Sequence, residues 1–167
     1  LTASEQVALL AGITFSAAGV GNLLIGRFFG KLADAIGYEK VLTALLFISV
    51  LFIIPQAFVT SLWQLIVLRF LFGIFSGGLN PITTALIRRE APIEVQGEIM
   101  GYNQSFRFLG NIIGPVLGGF ISGLATISSV FYSTGLLFLI AAIVVLIIQK
   151  LPRKYLEDVL KNHARTM

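Results

Sequence analysis

Four long stretches of this chain carry no charged residue: 6–26, 41–68, 70–87 and 108–149. That pattern constrains the fold more than any other feature. A helix that crosses a bilayer needs about 20 mostly apolar residues. Lipid offers no partner to backbone N–H and C=O groups, so only helices and closed barrels cross it. A barrel would show alternating segments of about 10 residues, not long unbroken apolar runs. The last run is long enough for two passages, with the small, polar stretch 123–129 as the natural break. The sequence therefore predicts an all-α membrane protein with five spans, at about 6–29, 41–58, 63–87, 98–123 and 128–149.

Composition closes the alternatives. Hydrophobic residues make up 56% and charged residues 12% of the 167 positions, whereas soluble domains carry about 25% charged residues. Polar groups are too few to cover a soluble surface, and the chain is too apolar for disorder. Cysteine is absent and His163 is the single histidine. Thiolate chemistry, disulfides and multi-histidine metal sites are thereby excluded, and no cofactor is implied. A membrane enzyme would need clustered acids or histidines; Asp34 and Glu98 stand apart in sequence, so the chain is not read as an enzyme. The first segment lacks the basic start of a signal peptide. The chain begins at Leu1 rather than Met, which points to a piece of something longer.

Charge location sets the topology. Arg27, Lys31, Lys40, Arg88, Arg89, Lys150, Arg153, Lys154, Lys161 and Arg165 all fall in one set of connections. The other set, 1–5, 59–62 and 123–129, has no Lys or Arg. Cytoplasmic loops carry the basic excess, so the N-terminus is expected outside and the C-terminus in the cytoplasm. Ten of the twelve basic residues are accounted for in this way, and nucleic acid is not needed as a partner. The tail 151–167 leaves the membrane at Pro152. Leu151, Tyr155, Leu156, Val159 and Leu160 share a helical face there, which suits either the anionic inner leaflet or a solvated anchor.

The two remaining arginines, Arg69 and Arg107, lie inside spans. A charge at the bilayer centre costs about 2.5–3.5 kcal/mol on insertion scales, so each needs a reason. In the third span Arg69, Gly73, Ser76, Asn80, Thr83 and Thr84 share one face, and Pro81 is expected to kink the helix. In the fourth, Asn103, Arg107, Asn111, Gly114 and Gly118 do the same. In the first, Gly12, Ser16, Gly19, Gly26 and Gly30 line up, with Asn22 at the edge. Small residues let membrane helices approach closely and polar ones bond across the contact; the competing reading is a polar pathway. We favour the pathway for the arginines, with Asn80, Asn103, Arg107 and Asn111 as its lining. No span interior holds Asp or Glu, so helix carbonyls, a bound substrate or carboxylates elsewhere must balance the charge.

The first basic connection reads Gly30-Lys31-Leu32-Ala33-Asp34-Ala35-Ile36-Gly37-Tyr38-Glu39-Lys40. Its glycines suit a sharp reversal between helices. The stretch resembles the G-x-L-A-D-x-x-G-x-[KR]-[KR] loop of the major facilitator superfamily. Leu68-Arg69-Phe70-Leu71-Phe72-Gly73 is similar to the arginine-bearing helix that follows two spans later. Gly110-Asn111-Ile112-Ile113-Gly114-Pro115-Val116-Leu117-Gly118-Gly119 matches the G-x-x-x-G-P-x-x-G-G signature of that family's drug:proton antiporters. Pro55-Gln56-Ala57-Phe58, Trp63-Gln64-Leu65 and Tyr102-Asn103-Gln104-Ser105-Phe106-Arg107 look like the carboxy-terminal half of multidrug efflux proteins. Ala35 and Tyr38-Glu39 depart from the usual basic run.

The resemblance implies spans eight to twelve of a twelve-helix transporter, with the seventh and the amino-terminal half missing. It implies a secondary active transporter in a bacterial plasma membrane. Drugs or amphiphilic small molecules would be exported by alternating access, with protons as coupling ion. The site residues implied are a gating loop of Gly30, Asp34, Gly37 and Lys40, and a packing ridge of Gly110, Gly114, Pro115, Gly118 and Gly119. Small-molecule substrate, membrane lipid and the absent half are the expected partners. The same fold also serves metabolite or sugar transporters, and a non-transporting membrane subunit is a further alternative.

Overall fold

A computed structural model describes residues 3–150, with the backbone alone for 3–8 and 23–27. The tail 151–167, expected to be cytoplasmic, lies outside the described residues. The elements are α1 (Ala3–Ile36), α2 (Tyr38–Ile53) with a 3₁₀ extension (Ile54–Phe58), α3 (Leu62–Gly77), α4 (Leu79–Glu90), α5 (Gln96–Leu124) and α6 (Ile127–Lys150). Among the described residues four stretches are long and apolar enough to cross a membrane: Tyr38–Phe58, Leu62–Glu90, Gln96–Leu124 and Ile127–Lys150. In α1 the described apolar stretch, Leu9–Asn22, is shorter. The architecture is all-helical and fits a membrane bundle.

Two helix boundaries differ from the sequence reading. Helix α1 runs through Gly30 to Ile36, so Gly30 is not a turn; Gly37 alone makes the reversal, at φ 103°. Residues 31–36 favour helix, and Ala33 is fully buried against Phe29, Val41, Leu45 and Ile82. That burial stabilises the extra turns. The third span is interrupted at Gly78, three residues before Pro81, the residue expected to disturb it. A proline ring clashes with the carbonyl four residues earlier, which here is that of Gly77. The helix stops there, and Pro81 falls in the first turn of α4, where its missing N–H is harmless. Helix α5 runs unbroken through Pro115.

Helix α1 lies along α3, and α2 packs between α3 and α6. The α1–α3 crossing is the tightest in the bundle. A Cβ on Gly21 would meet the Phe70 carbonyl oxygen at 2.5 Å and the Ile74 nitrogen at 2.8 Å. One on Gly73 would strike the backbone of Ala18, and one on Gly77 the side chain of Asn22. The face of α1 that packs is therefore Ala18, Gly21 and Asn22; of the expected stripe, Gly12, Gly19 and Gly30 meet open space, while Asn22, expected at its edge, lies in the contact. Aromatic rings fill the centre, with Phe52 stacked on Phe75 at 5.3 Å and Phe75 against Phe29 at 6.2 Å.

Both ends of α6 are pinned to the α2 segment. Ser128 donates to the Ala57 carbonyl at 3.0 Å, and Gln149 Nε2 donates to the Glu39 carbonyl and to Thr43 Oγ1, each at 2.7 Å. Helix α5 is different. It has no buried residue, and among the described residues it touches only α4 and α6.

Candidate functional site

The reversal at Gly37 builds the first group. Because one residue separates α1 from α2, Tyr38 opens α2 and lies beside Asp34, one turn back. The Tyr38 hydroxyl donates to Asp34 Oδ1. The Arg89 guanidinium sits over the Tyr38 ring, 5.7 Å from its centre. Arg88 and Arg89 occupy the last turn of α4, where a cation complements the exposed carbonyls. A cavity of about 230 Å³ opens here, lined by Ile36, Gly37, Tyr38, Lys40, Leu86 and Arg89 among others. Of the expected gating residues, Asp34, Gly37 and Lys40 gather at this end. Gly30 sits two turns back inside α1.

Gln96, at the start of α5, donates through Nε2 to the carbonyls of Arg88 at 2.8 Å and Ala91 at 3.0 Å. These are orphan carbonyls at the end of α4, which need partners from outside their own helix. The bonds tie α5 to α4 across the short connection.

The ridge on α5 faces open space. A Cβ on Gly110, Gly114 or Gly119 would have nothing within 4 Å, and one on Gly118 would meet only Val130, at 3.8 Å. Pro115 is exposed too. Among the described residues its one neighbour is Val130 on α6, beside Gly118.

Arg69 is half-buried in α3. Its Nε is buried without a hydrogen-bond partner, and its guanidinium carbon lies 5.5 Å from the centre of the Phe131 ring on α6. Among the described residues an aromatic face meets this cation; such contacts strengthen when desolvated. Arg107 is exposed, and its Nη1 donates to Gln104 Oε1, one turn back in α5, at 3.4 Å. Asn80 and Asn111 are exposed and Asn103 is half-buried. Thr83 and Thr84 turn their hydroxyls back onto the carbonyls of Leu79 and Asn80, as Thr does inside helices. A second, apolar cleft of about 500 Å³ lies between Pro55, Phe58, Trp63 and Val67. None of Arg69, Asn80, Asn103, Arg107 or Asn111 lines either cavity.

Sequence reasoning missed several of these contacts. Tyr38 carried a signal, standing four residues after Asp34. The pairing with Arg89 and the reach of Gln149 to Glu39 carried none, because the partners come from helices far apart in the chain.

Comparison with known proteins adds the family. The profile described as Major Facilitator Superfamily matches residues 2–165. The Uncharacterized MFS-type transporter YuxJ of Bacillus subtilis (strain 168) is 51% identical over 146 residues, covering 87% of this chain and 37% of the relative. Multidrug resistance protein MdtG of Dickeya zeae is 42% identical over 139 residues, covering 83% of this chain and 34% of the relative. MdtG of Serratia proteamaculans is 40% identical over 159 residues, covering 95% and 39%. The chain thus spans well under half the length of these relatives.

Proposed function

The chain belongs to the Major Facilitator Superfamily, and from that premise we propose that it is the carboxy-terminal part of an exporter of drugs or amphiphilic small molecules. It is a multi-pass protein of the cell membrane. In the proposed reading residues 1–150 form five spans, counted from the N-terminus outside, and 151–167 form a cytoplasmic tail. The full transporter includes an amino-terminal half and works by alternating access, with protons as the coupling ion, and carries no enzymatic step.

The observation that carries this reading is α5. A helix with no buried residue and an open glycine ridge has its packing surface ready for another helix, and the relatives supply the length for one. Transporters of this kind hold substrate between two halves that rock about a fixed site. The α1–α3 crossing and the pinned α2–α6 pair form the stiff part of this half. The Gly110, Gly114 and Gly118 ridge, with Pro115 and Gly119, closes against the other half on one side of the cycle. Asn80, Asn103, Arg107 and Asn111 line the polar path, Arg69 supports it from α3, and Gly30, Asp34, Gly37 and Lys40 belong to the gating end. The name of the MdtG relatives supports drugs as cargo.

The test is efflux of a fluorescent lipophilic cation from cells expressing the full-length parent gene, with and without a proton uncoupler. Uncoupler-sensitive efflux is expected. Absence of efflux for this and for a panel of amphiphiles would overturn the drug-export reading in favour of a narrower metabolite carrier.

A further inference from the structure

We propose that Arg69 is a specificity-determining residue that holds an oxyanion, the carboxylate of an amphiphile or a group of the same chemistry. This rests on the export reading above and names one class of its cargo. Neutral and cationic cargoes pass without this contact.

Arg69 stands seven residues after Leu62, the start of α3, so it lies about 10 Å along the helix from that end. The connection before Leu62 carries no Lys or Arg, and the proposed orientation places it outside. One turn deeper, Phe72 meets Phe138 of α6 at 5.8 Å, and Gly73 lies against the backbone of Ala18 on α1. Arg69 falls between those two directions, so its side chain emerges between α1 and α6. Those two helices do not touch each other among the described residues, which leaves this side of α3 accessible from the bundle interior.

A guanidinium is permanently charged and carries several N–H donors. Inside a span a structural arginine spends them on backbone carbonyls or a carboxylate. Among the described residues Arg69 does neither: its Nε is buried without a partner, and its guanidinium meets the Phe131 ring at 5.5 Å. The ring draws the charge but offers no lone pair, so the donors stay available. Ala18 lies against Gly73 and Asn22 against Gly77, an offset that sets Thr14 of α1 level with Arg69. Thr14 is buried and its hydroxyl donates to the Leu10 carbonyl, so it brings no charge. Helices α3 and α6 contain no Asp or Glu, and α1 has only Glu5 and Asp34. Glu5, the nearer, is about 14 Å along the helix from Thr14. A desolvated cation with free donors and no acid beside it takes a negatively charged acceptor. The arginine fork matches a planar carboxylate in two parallel bonds. The rings of Phe131, Phe72 and Phe138 offer apolar surface for the body of the same molecule.

The experiment uses the full-length transporter in lipid nanodiscs. The probes are a dansyl-labelled amphiphilic carboxylate and its uncharged methyl ester. Binding is read by fluorescence anisotropy, with binding to empty nanodiscs subtracted. Arg69→Gln should weaken the carboxylate about tenfold or more, the loss of hydrogen bonds to a charged group, and leave the ester unchanged. Arg69→Lys keeps the charge without the fork and should fall between. Phe131 is a positioning residue: Phe131→Leu removes the ring that steadies the guanidinium, and should weaken the carboxylate about two- to fivefold while sparing the ester. Equal loss for both probes would overturn the site, as would a parent that does not bind the carboxylate. So would carboxylate binding that Arg69→Gln leaves unchanged, the result expected where a carboxylate elsewhere in the transporter neutralises Arg69. Arg69→Lys and Phe131→Leu are conservative in size, so a folding defect in Arg69→Gln does not remove the comparison. Binding is read without transport. A parent that holds the carboxylate through Arg69 but exports no amphiphile refutes the export reading and keeps this site. One that exports amphiphiles without any dependence of binding on Arg69 keeps that reading and refutes the site.

Discussion

Replacing Gly73 by Ala tests the α1–α3 crossing most directly. The new Cβ would strike the carbonyl oxygen and Cα of Ala18, both backbone atoms, so no rotamer change relieves it. The helices must separate instead, by about 1 Å, to restore van der Waals distance. Overpacking of this kind costs about 1–3 kcal/mol. For a domain of 150–250 residues each kcal/mol lowers Tm by about 2–4 °C, so a fall of about 2–12 °C is expected. The assay is thermal unfolding of the full-length transporter in detergent. Gly30→Ala is the control, since a Cβ there meets nothing within 4 Å and the helix runs through the position. Ala is favoured over Gly inside a helix by up to about 1 kcal/mol, so the control should hold or raise Tm. Equal shifts for the two variants, or none for Gly73→Ala, would refute the argument that backbone contact sets this crossing.

Three other outcomes are expected. Gly114→Leu should block transport or make it leak, measured as cation efflux, because the side chain fills the surface where α5 closes; normal efflux counts against a closing ridge. Arg107→Ala should lower transport while membrane insertion, followed by fractionation and blotting, stays normal; failed insertion would make Arg107 structural. Gln149→Leu removes bonds to the Glu39 carbonyl and Thr43, each worth about 0.5–1.5 kcal/mol. It should lower Tm without altering which compounds are moved, and an unchanged Tm would show that the Gln149 bonds do not hold α6.

The helices and their family were legible in the sequence because lipid makes them so. A span must be long, apolar and uncharged, and those demands can be read residue by residue. The three motifs were readable because each occupies a short, continuous stretch. The connection was expected over 30–40 and is Gly37 alone, because two glycines, Gly30 and Gly37, looked alike. Only the packing of Ala33 against Ile82 and Leu45 on other helices decides that the first stays helical. Sequence named Arg69 as a charge in need of a partner and could not name Phe131, which lies on a different helix.

By itself, then, the sequence determined an all-helical membrane protein, its charge asymmetry and its membership of a transporter family. Those follow from lengths, charges and local motifs. Which face of each helix packs was decided by tertiary structure. In a soluble helix the apolar stripe marks the core; here lipid-facing and packed faces are both largely apolar, because lipid tails are as apolar as Leu. Gly12, Gly19 and Gly21 are equivalent as letters. Only the approach of α3 makes Gly21 indispensable and leaves the other two in the open.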